Sequence, residues 1–222
     1  MKKILLTGLE ETNLKAAKLL KVHGFLPVHF PLQKMKKLNN FPIPKKEFDW
    51  ITFTSSTAVR MASQEIHNLA NNYAVVGPST DQALSKKGYS SSLIPKDNYS
   101  AEGLIEVFKV FKDPLKILYP ASKIAQGSLE KGLTELGHEV TRVNIYQPEE
   151  VSVNKLPDFT DATFFSPSGV DLFFKNFGKF SLENKKAVAI GKSTATAFEK
   201  HFGFKPYLAK ESTVAGVIQT LL

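Results

Sequence analysis

Small hydroxyl residues follow short apolar runs at four places in this chain. They are Thr54, Ser55, Ser56, Ser79, Thr80, Ser166, Ser168, Ser193 and Thr194. A strand that ends in Ser or Thr and opens a helix leaves unpaired backbone N–H groups, which can bind an anion. Together the four turns predict a site rich in N–H and O–H donors, suited to a large ligand with many carboxylates. The alternative interpretation is that each hydroxyl only caps its helix.

Tyr146 is a second candidate, because it ends the strand predicted over 140–145 and starts the break that contains Pro148. Its phenol, with a pKa near 10, is a neutral hydrogen-bond donor at neutral pH. It could reach into a ligand cleft as such a donor. The alternative is plain packing where two parts of the chain join, since tyrosine is common at interfaces.

Other familiar chemistries have little support in the sequence. The five histidines lack HxH or HExxH spacing, and without cysteine there is no thiolate ligand, disulfide or cysteine nucleophile. Walker, GxGxxG and GxSxG motifs do not occur, so neither a nucleotide cofactor nor a serine hydrolase is indicated. The sequence therefore gives little support to a histidine metal site or a nucleotide cofactor.

Composition is that of an ordinary soluble globular protein, with 42% apolar and 23% charged residues. No apolar run is long enough to cross a bilayer, and the run 4–6 is too short for a signal peptide. We therefore expect a cytoplasmic protein that has no membrane partner and acts as a monomer.

The net charge of +8 favours acidic partners. Only Arg60 and Arg142 are arginines among the 29 basic residues, and sequence-specific nucleic-acid readers depend on arginine for bidentate base contacts. A DNA-binding role rests on charge alone, so we expect no nucleic-acid partner. A lysine-rich solvated surface and an acidic ligand in a positive cleft both stay open.

The chain repeats itself once. GPST at 77–80 corresponds to GKST at 191–194, and Gly103 corresponds to Gly216, at offsets of 114 and 113 residues. A period this long indicates two similar lobes and not a solenoid. Strands alternating with helices predict parallel sheets covered on both faces.

Proline-bearing breaks near 31–47 and 147–157 predict where the chain crosses between the lobes. We predict one discontinuous α/β lobe from 1–33 plus 150–222, and a second from 36–146. Each would be a five-stranded, mainly parallel sheet flanked by helices. In the second lobe we expect a strand at 91–94 and one helix over 58–69. A simple division into front and back halves also stays open.

The chain resembles the uroporphyrinogen-III synthase family. The matching segments appear in family order over almost the whole chain and include FDWITFTSSTAV at 48–59, AVVGPSTDQAL at 74–84, VNIYQ at 143–147, ATFFSPSGV at 162–170, AVAIGKSTATAF at 187–198 and STVAGVI at 212–218. The resemblance implies two α/β lobes with a two-stranded connection.

The resemblance also implies that the protein cyclises hydroxymethylbilane to uroporphyrinogen III with inversion of ring D and loss of water, without a metal or organic cofactor. In that family the ligand lies between the lobes, where main-chain amides and hydroxyls meet its acetate and propionate groups. The hydroxyl residues named above occupy the matching positions. Tyr146 matches a tyrosine proposed to assist loss of the substrate hydroxyl. The alternative is a non-catalytic two-lobed binding or sensor module for an acidic metabolite.

Overall fold

The structure is a computed structural model that describes residues 1–39, 41–42 and 44–222. Asn40 and Ile43, within the first predicted linker, lie outside the described residues. The chain divides into two compact units. The first unit combines Met1–Lys34 with Pro148–Leu222, and the second unit is Met35–Gln147.

The secondary structure alternates between strands and helices. The strands are β1 (Lys3–Leu6), β2 (Leu26–His29), β3 (Gln33–Lys37), β4 (Trp50–Phe53), β5 (Asn72–Val75), β6 (Lys116–Ser122), β7 (Glu139–Glu150), β8 (Asp161–Phe164), β9 (Lys186–Ala189) and β10 (Tyr207–Leu208). The helices are α1 (Glu10–Val22), α2 (Ser56–Met61), α3 (Gln64–His67), α4 (Pro78–Ser85), α5 (Ala101–Phe108), α6 (Ser128–Glu135), α7 (Pro167–Phe177), α8 (Lys192–Phe202) and α9 (Val214–Leu221), with a 3₁₀ turn at Lys179–Leu182.

The first sheet has the strand order β10-β9-β8-β1-β2, and each neighbouring pair is parallel. Its central strands β1, β8 and β9 are buried on both faces, whereas the edge strands β2 and β10 are partly exposed. Leu5 packs with the phenylalanines of α7 and α8, whereas Ile4 and Leu6 pack with α1 and α9. Strand β1 therefore lies in the same sheet as the C-terminal strands, as predicted.

The second sheet has the order β3-β7-β6-β4-β5, with parallel pairing from β7 through β6 and β4 to β5. Leu118 contributes to a core that contains Phe53, and Tyr119 contributes to a core on α5 and α6. The predicted fold class, two five-stranded and mainly parallel sheets flanked by helices, is confirmed. The chain passes between the units within β3 and β7.

Two local predictions were wrong, and one strand was not predicted. Residues 91–94 form only an isolated bridge, Leu93 with Ala74, and Pro95 has no N–H with which to extend it. The expected helix over 58–69 is broken at Ala62, whose backbone is extended, and Ser63 starts α3 by accepting the Ile66 N–H. The first predicted linker, in which the chain crosses between the units, also contains the unpredicted strand β3, where Met35 packs on the core and lysines occupy the exposed positions.

Candidate functional site

Ser55 and Tyr146 form the centre of the candidate site in the second unit. Ser55 is the N-cap of α2, and its hydroxyl accepts the Ala58 N–H at 3.0 Å. The same oxygen lies 3.1 Å from the Tyr146 phenol oxygen. The end of β4 and the middle of β7 therefore bring together two residues that are 91 positions apart in the sequence.

A β-bulge directs Tyr146 toward Ser55. Ala121 of β6 pairs with Asn144, but the next residue, Ser122, pairs with Tyr146, so β7 carries one extra residue here. Side chains alternate between faces in a regular strand, and a bulge resets that alternation. As a result the Tyr146 side chain lies with Val143 in the core beside α2, and not on the exposed face of the sheet with Asn144.

Burial sets the protonation state of this phenol. Tyr146 is only 8% exposed. Burial raises its pKa above the ordinary value of 10.0, and the hydrogen bond with Ser55 opposes that shift only in part. The phenol is therefore neutral at physiological pH and keeps a proton that it can donate.

Tyr119 forms a second phenol–hydroxyl pair beside the first. Its phenol oxygen lies 3.3 Å from Oγ1 of Thr54, and its side chain is 3% exposed. Thr54 and Ser55 are thus each contacted by a buried tyrosine. The sequence analysis missed Tyr119, although it directly follows the apolar residues Ile117 and Leu118 in β6.

The helix-cap interpretation explains only half of the hydroxyl turns. Ser55 caps α2 and Ser166 caps α7, where it accepts the Gly169 N–H at 3.1 Å. By contrast, Gly77 and Gly191 precede α4 and α8, and neither helix start has a side-chain cap. The first N–H groups of α8 therefore have no capping side chain, whereas in α4 Pro78 has no N–H and the Thr80 N–H donates to the Gly77 carbonyl at 3.0 Å.

The remaining candidates differ in exposure. Ser56, the first residue of α2, is half-buried. Ser79 and Ser193 are exposed in the first turns of α4 and α8, whereas Thr80 and Thr194 are buried at 1% exposure. In each of these two turns the serine is the side chain that a ligand can reach directly.

The first unit has a small polar cluster at the start of α7. The hydroxyls of Ser166 and Ser168 lie 3.1 Å apart. Ser168 also accepts a hydrogen bond from Nε2 of Gln33, at 3.2 Å. Gln33 was not predicted, because it lies 135 residues away in the first predicted linker. This cluster offers both O–H and N–H donors.

A resident metal is not suggested by the described part of the chain. It contains no group of three or more histidine, aspartate or glutamate side chains placed to hold an ion. His67 and His138, for example, are buried at 3% exposure. The His67 ring stacks on Tyr89 with 4.4 Å between centroids. Nor does any helix within the described ranges have the length and apolar character needed to span a membrane.

Comparison with known proteins identifies the family. Residues 15–219 match the family model HEM4, described as uroporphyrinogen-III synthase HemD. The chain belongs to the uroporphyrinogen-III synthase family. These enzymes of heme biosynthesis act on hydroxymethylbilane. The resemblance drawn from the sequence is thus confirmed, and the residue roles in the candidate site stay predictions.

Relatives match most of the chain. A putative uroporphyrinogen-III synthase of Methanocaldococcus jannaschii is 29% identical over 240 residues, covering 99% of this chain and 97% of that protein. The chloroplastic uroporphyrinogen-III synthase of Oryza sativa subsp. japonica is 26% identical over 193 residues, covering 80% of this chain and 64% of that protein.

Solved structures support the fold. The crystal structure of uroporphyrinogen-III synthetase from Helicobacter pylori aligns with a TM-score of 0.71 at 17% identity, covering 100% of this chain and 98% of that one. A mutant uroporphyrinogen III synthase from Thermus thermophilus aligns with a TM-score of 0.57 at 19% identity, covering 100% and 97%. At such low identities the similarity concerns the fold alone.

Proposed function

We propose that this protein cyclises hydroxymethylbilane to uroporphyrinogen III, with inversion of ring D and loss of water. The observation that carries the proposal is the family match over residues 15–219, nearly the whole chain. The candidate site is consistent with it, because the reaction needs donors for many carboxylates and only a mild acid.

The hydroxyl turns of each unit would bind acetate and propionate groups of the substrate. The proposed binding residues are Thr54, Ser55, Ser56, Ser79, Thr80, Ser166, Ser168, Ser193 and Thr194. The strongest support comes from α8, where no side chain caps the helix start. Unpaired N–H groups and the helix dipole favour an anion at such a position.

Tyr146 would act as the general acid. Ser55 accepts the Ala58 N–H, so its own proton is free to point at the Tyr146 oxygen. In that arrangement Tyr146 donates its proton to the departing hydroxyl of ring A. The azafulvenium cation left behind is attacked by the substituted carbon of ring D, and a spiro intermediate then fragments and closes with ring D inverted. The final closure releases a proton, which restores the Tyr146 phenol, so that water is the net loss. Holding the chain ends in one geometry favours this route over direct closure.

The competing hypothesis, a non-catalytic sensor of an acidic metabolite, predicts binding without turnover. Incubating the protein with hydroxymethylbilane generated in situ, without added metal or cofactor, separates the two. After oxidation, the uroporphyrin isomers are resolved by chromatography. We expect a clear excess of isomer III over a protein-free reaction. Isomer I alone, formed at the buffer rate, would contradict the proposal.

We also propose that the protein acts as a monomer in the cytoplasm, without a nucleic-acid partner. The low arginine content supports the absence of a nucleic-acid partner, since Arg60 and Arg142 are the only arginines, and arginine to guanine is the commonest specific base contact. Light scattering coupled to size-exclusion chromatography tests the oligomeric state. Binding to mixed duplex DNA at physiological salt tests the partner.

A further inference from the structure

A groove of about 590 Å³ lies in the second unit, away from the Ser55 hydroxyl turn in sequence. It is lined by Leu38, Asn39, Phe41, Pro42, Lys123, Arg142, Val143 and Asn144. Two of these side chains are cationic and two carry amides. Among the described residues that line the groove, none is a carboxylate. The groove is therefore positive, with an apolar wall at Phe41 and Pro42.

The Arg142 guanidinium is held in place by the protein. Its Nη2 atom donates to the Ser122 carbonyl at 2.9 Å and to the Lys123 carbonyl at 3.4 Å, and its Nε atom donates to Oδ1 of Asn144 at 3.0 Å. Within the described ranges these are neutral acceptors, so the positive charge is oriented but not neutralised. An arginine with donors to spare and a fixed plane is well suited to a carboxylate.

Lys123 connects the groove to the candidate site. Its backbone N–H donates to the Tyr146 carbonyl at 2.8 Å, and its side chain is exposed. The bulge that sends Tyr146 toward Ser55 leaves Arg142 and Asn144 in the groove lining. One short segment of β7 therefore carries both the phenol and the cationic groove.

We propose that this groove is a carboxylate-binding subsite for an acidic pyrrole, with Arg142 and Lys123 binding an acetate or propionate and Phe41 contacting the ring. The identity of the pyrrole rests on the proposed function, whereas the carboxylate chemistry rests on the groove alone. The subsite would contribute binding energy without taking part in the reaction. It would therefore lower KM and leave kcat unchanged.

The test uses the full chain and uroporphyrin III, the stable oxidised form of the product, as the probe. Titration calorimetry should show that Arg142→Gln raises Kd about 10-fold, as expected for a lost charge-assisted hydrogen bond. Lys123→Gln should raise Kd about 2- to 5-fold, because its charge is exposed and screened. Both variants should raise KM for hydroxymethylbilane with kcat unchanged.

Lys112→Gln is the matched control, since it removes the same charge from an exposed lysine of the second unit outside the groove. If Arg142→Gln fails to fold, Lys123→Gln still tests the subsite, because within the described part of the chain Lys123 forms hydrogen bonds only through its backbone. If the Kd and KM values of Arg142→Gln and Lys123→Gln equal those of Lys112→Gln, the subsite is wrong. The proposed function would still stand in that case, provided that the wild type forms isomer III. If the wild type forms no excess of isomer III, the proposed function is wrong. The effect of the substitutions on uroporphyrin III binding would still test the carboxylate subsite.

Discussion

The Ser55 hydroxyl accepts the Ala58 N–H at 3.0 Å and lies 3.1 Å from the phenol oxygen of Tyr146. One small side chain thus starts helix α2 and orients the residue proposed as the acid. Because the cap uses an acceptor position of Ser55, its donor remains for the phenol oxygen, and the phenol proton is then available to a ligand. Ser55 can therefore cap α2 and orient the Tyr146 phenol at the same time.

Tyr146→Phe tests the acid. General acid catalysis contributes roughly 10²- to 10⁴-fold, and we expect a loss of about 10²-fold or less, because the substrate pyrrole itself assists departure of hydroxide. Isomer III should still be the product, since geometry selects the carbon that attacks. Steady-state turnover with isomer analysis measures both quantities.

Tyr119→Phe is the matched control, because it removes an equally buried phenol oxygen that contacts Thr54. Its kcat should stay near wild type. Equal losses in both variants would assign Tyr146 a packing role. A switch to isomer I at full total flux would instead make Tyr146 an orienting residue.

The pH dependence follows from the direction of the Tyr146 shift. Burial raises the pKa of this phenol above 10.0, so the protonated form persists through the neutral and mildly alkaline range. We expect no alkaline loss of kcat from this group below about pH 10. A stopped-flow pH profile of wild type and Tyr146→Phe checks this, since only the wild type should show the alkaline limb. A wild-type limb centred near pH 8 would argue against Tyr146 as its source.

Ser166→Glu tests the first unit. A carboxylate at this position removes the α7 cap and repels an anionic ligand, so uroporphyrin III should bind at least about 10-fold more weakly. Gln219→Glu, an exposed position on α9, adds the same charge as a control. Isothermal titration measures both affinities, and circular dichroism establishes that the fold is kept. Unchanged affinity in a folded Ser166→Glu protein would exclude this turn from the site.

Much of this architecture could be predicted because apolar runs and glycine-ended helices carry strong local signals. The strand at 50–53 is apolar at three of its four positions and is buried along its full length. Strand β3 was missed for the opposite reason. Its sequence, Gln-Lys-Met-Lys-Lys, has one apolar side chain, and pairing with β7 holds it in the sheet.

The candidate residues were easier to predict than their geometry. Tyr146 stood out as an aromatic residue at a strand end, but the bulge opposite Ser122 depends on pairing between distant segments. The contact of Tyr119 with Thr54 likewise joins residues 65 positions apart. Arg142 was counted only as a charge, because its acceptors are mainly backbone carbonyls that no residue pattern marks.

His67 should make the second unit sensitive to acid. The ring is buried against Tyr89, and burial, aided by the charge of Lys87, lowers its pKa below 6.5. The folded state therefore binds fewer protons than the unfolded state as the pH falls through 6.5, and the free energy of unfolding decreases. His67→Phe keeps the aromatic contact and removes this titration. We expect urea unfolding to show that the free energy of unfolding of His67→Phe, relative to that of the wild type, is higher at about pH 5.5 than at about pH 8. An equal difference at both values would contradict the prediction.

Gly103 and Gly216, the corresponding glycines of the sequence repeat, should tolerate no side chain. In each unit the glycine is the third residue of a helix, and its N–H is accepted by the capping hydroxyl of Ser100 or Thr213. A Cβ atom would overlap a backbone carbonyl five residues earlier, that of Asn98 or Glu211. A carbonyl cannot rotate away as a side chain can, so each Gly→Ala change should cost about 1 to 3 kcal/mol or more.

Urea unfolding of Gly103→Ala and Gly216→Ala, compared with Gly127→Ala, measures this cost. Gly127 also stands at a helix start, but a Cβ atom there would have no neighbour within 4 Å, so that variant should stay within about 0.5 kcal/mol of wild type. If the free energies of unfolding of both repeat variants matched that of Gly127→Ala, the backbone of the turn would be able to shift and relieve the overlap. Large and similar losses in both would show that the corresponding helix starts of the two units depend on the same close approach to a backbone carbonyl.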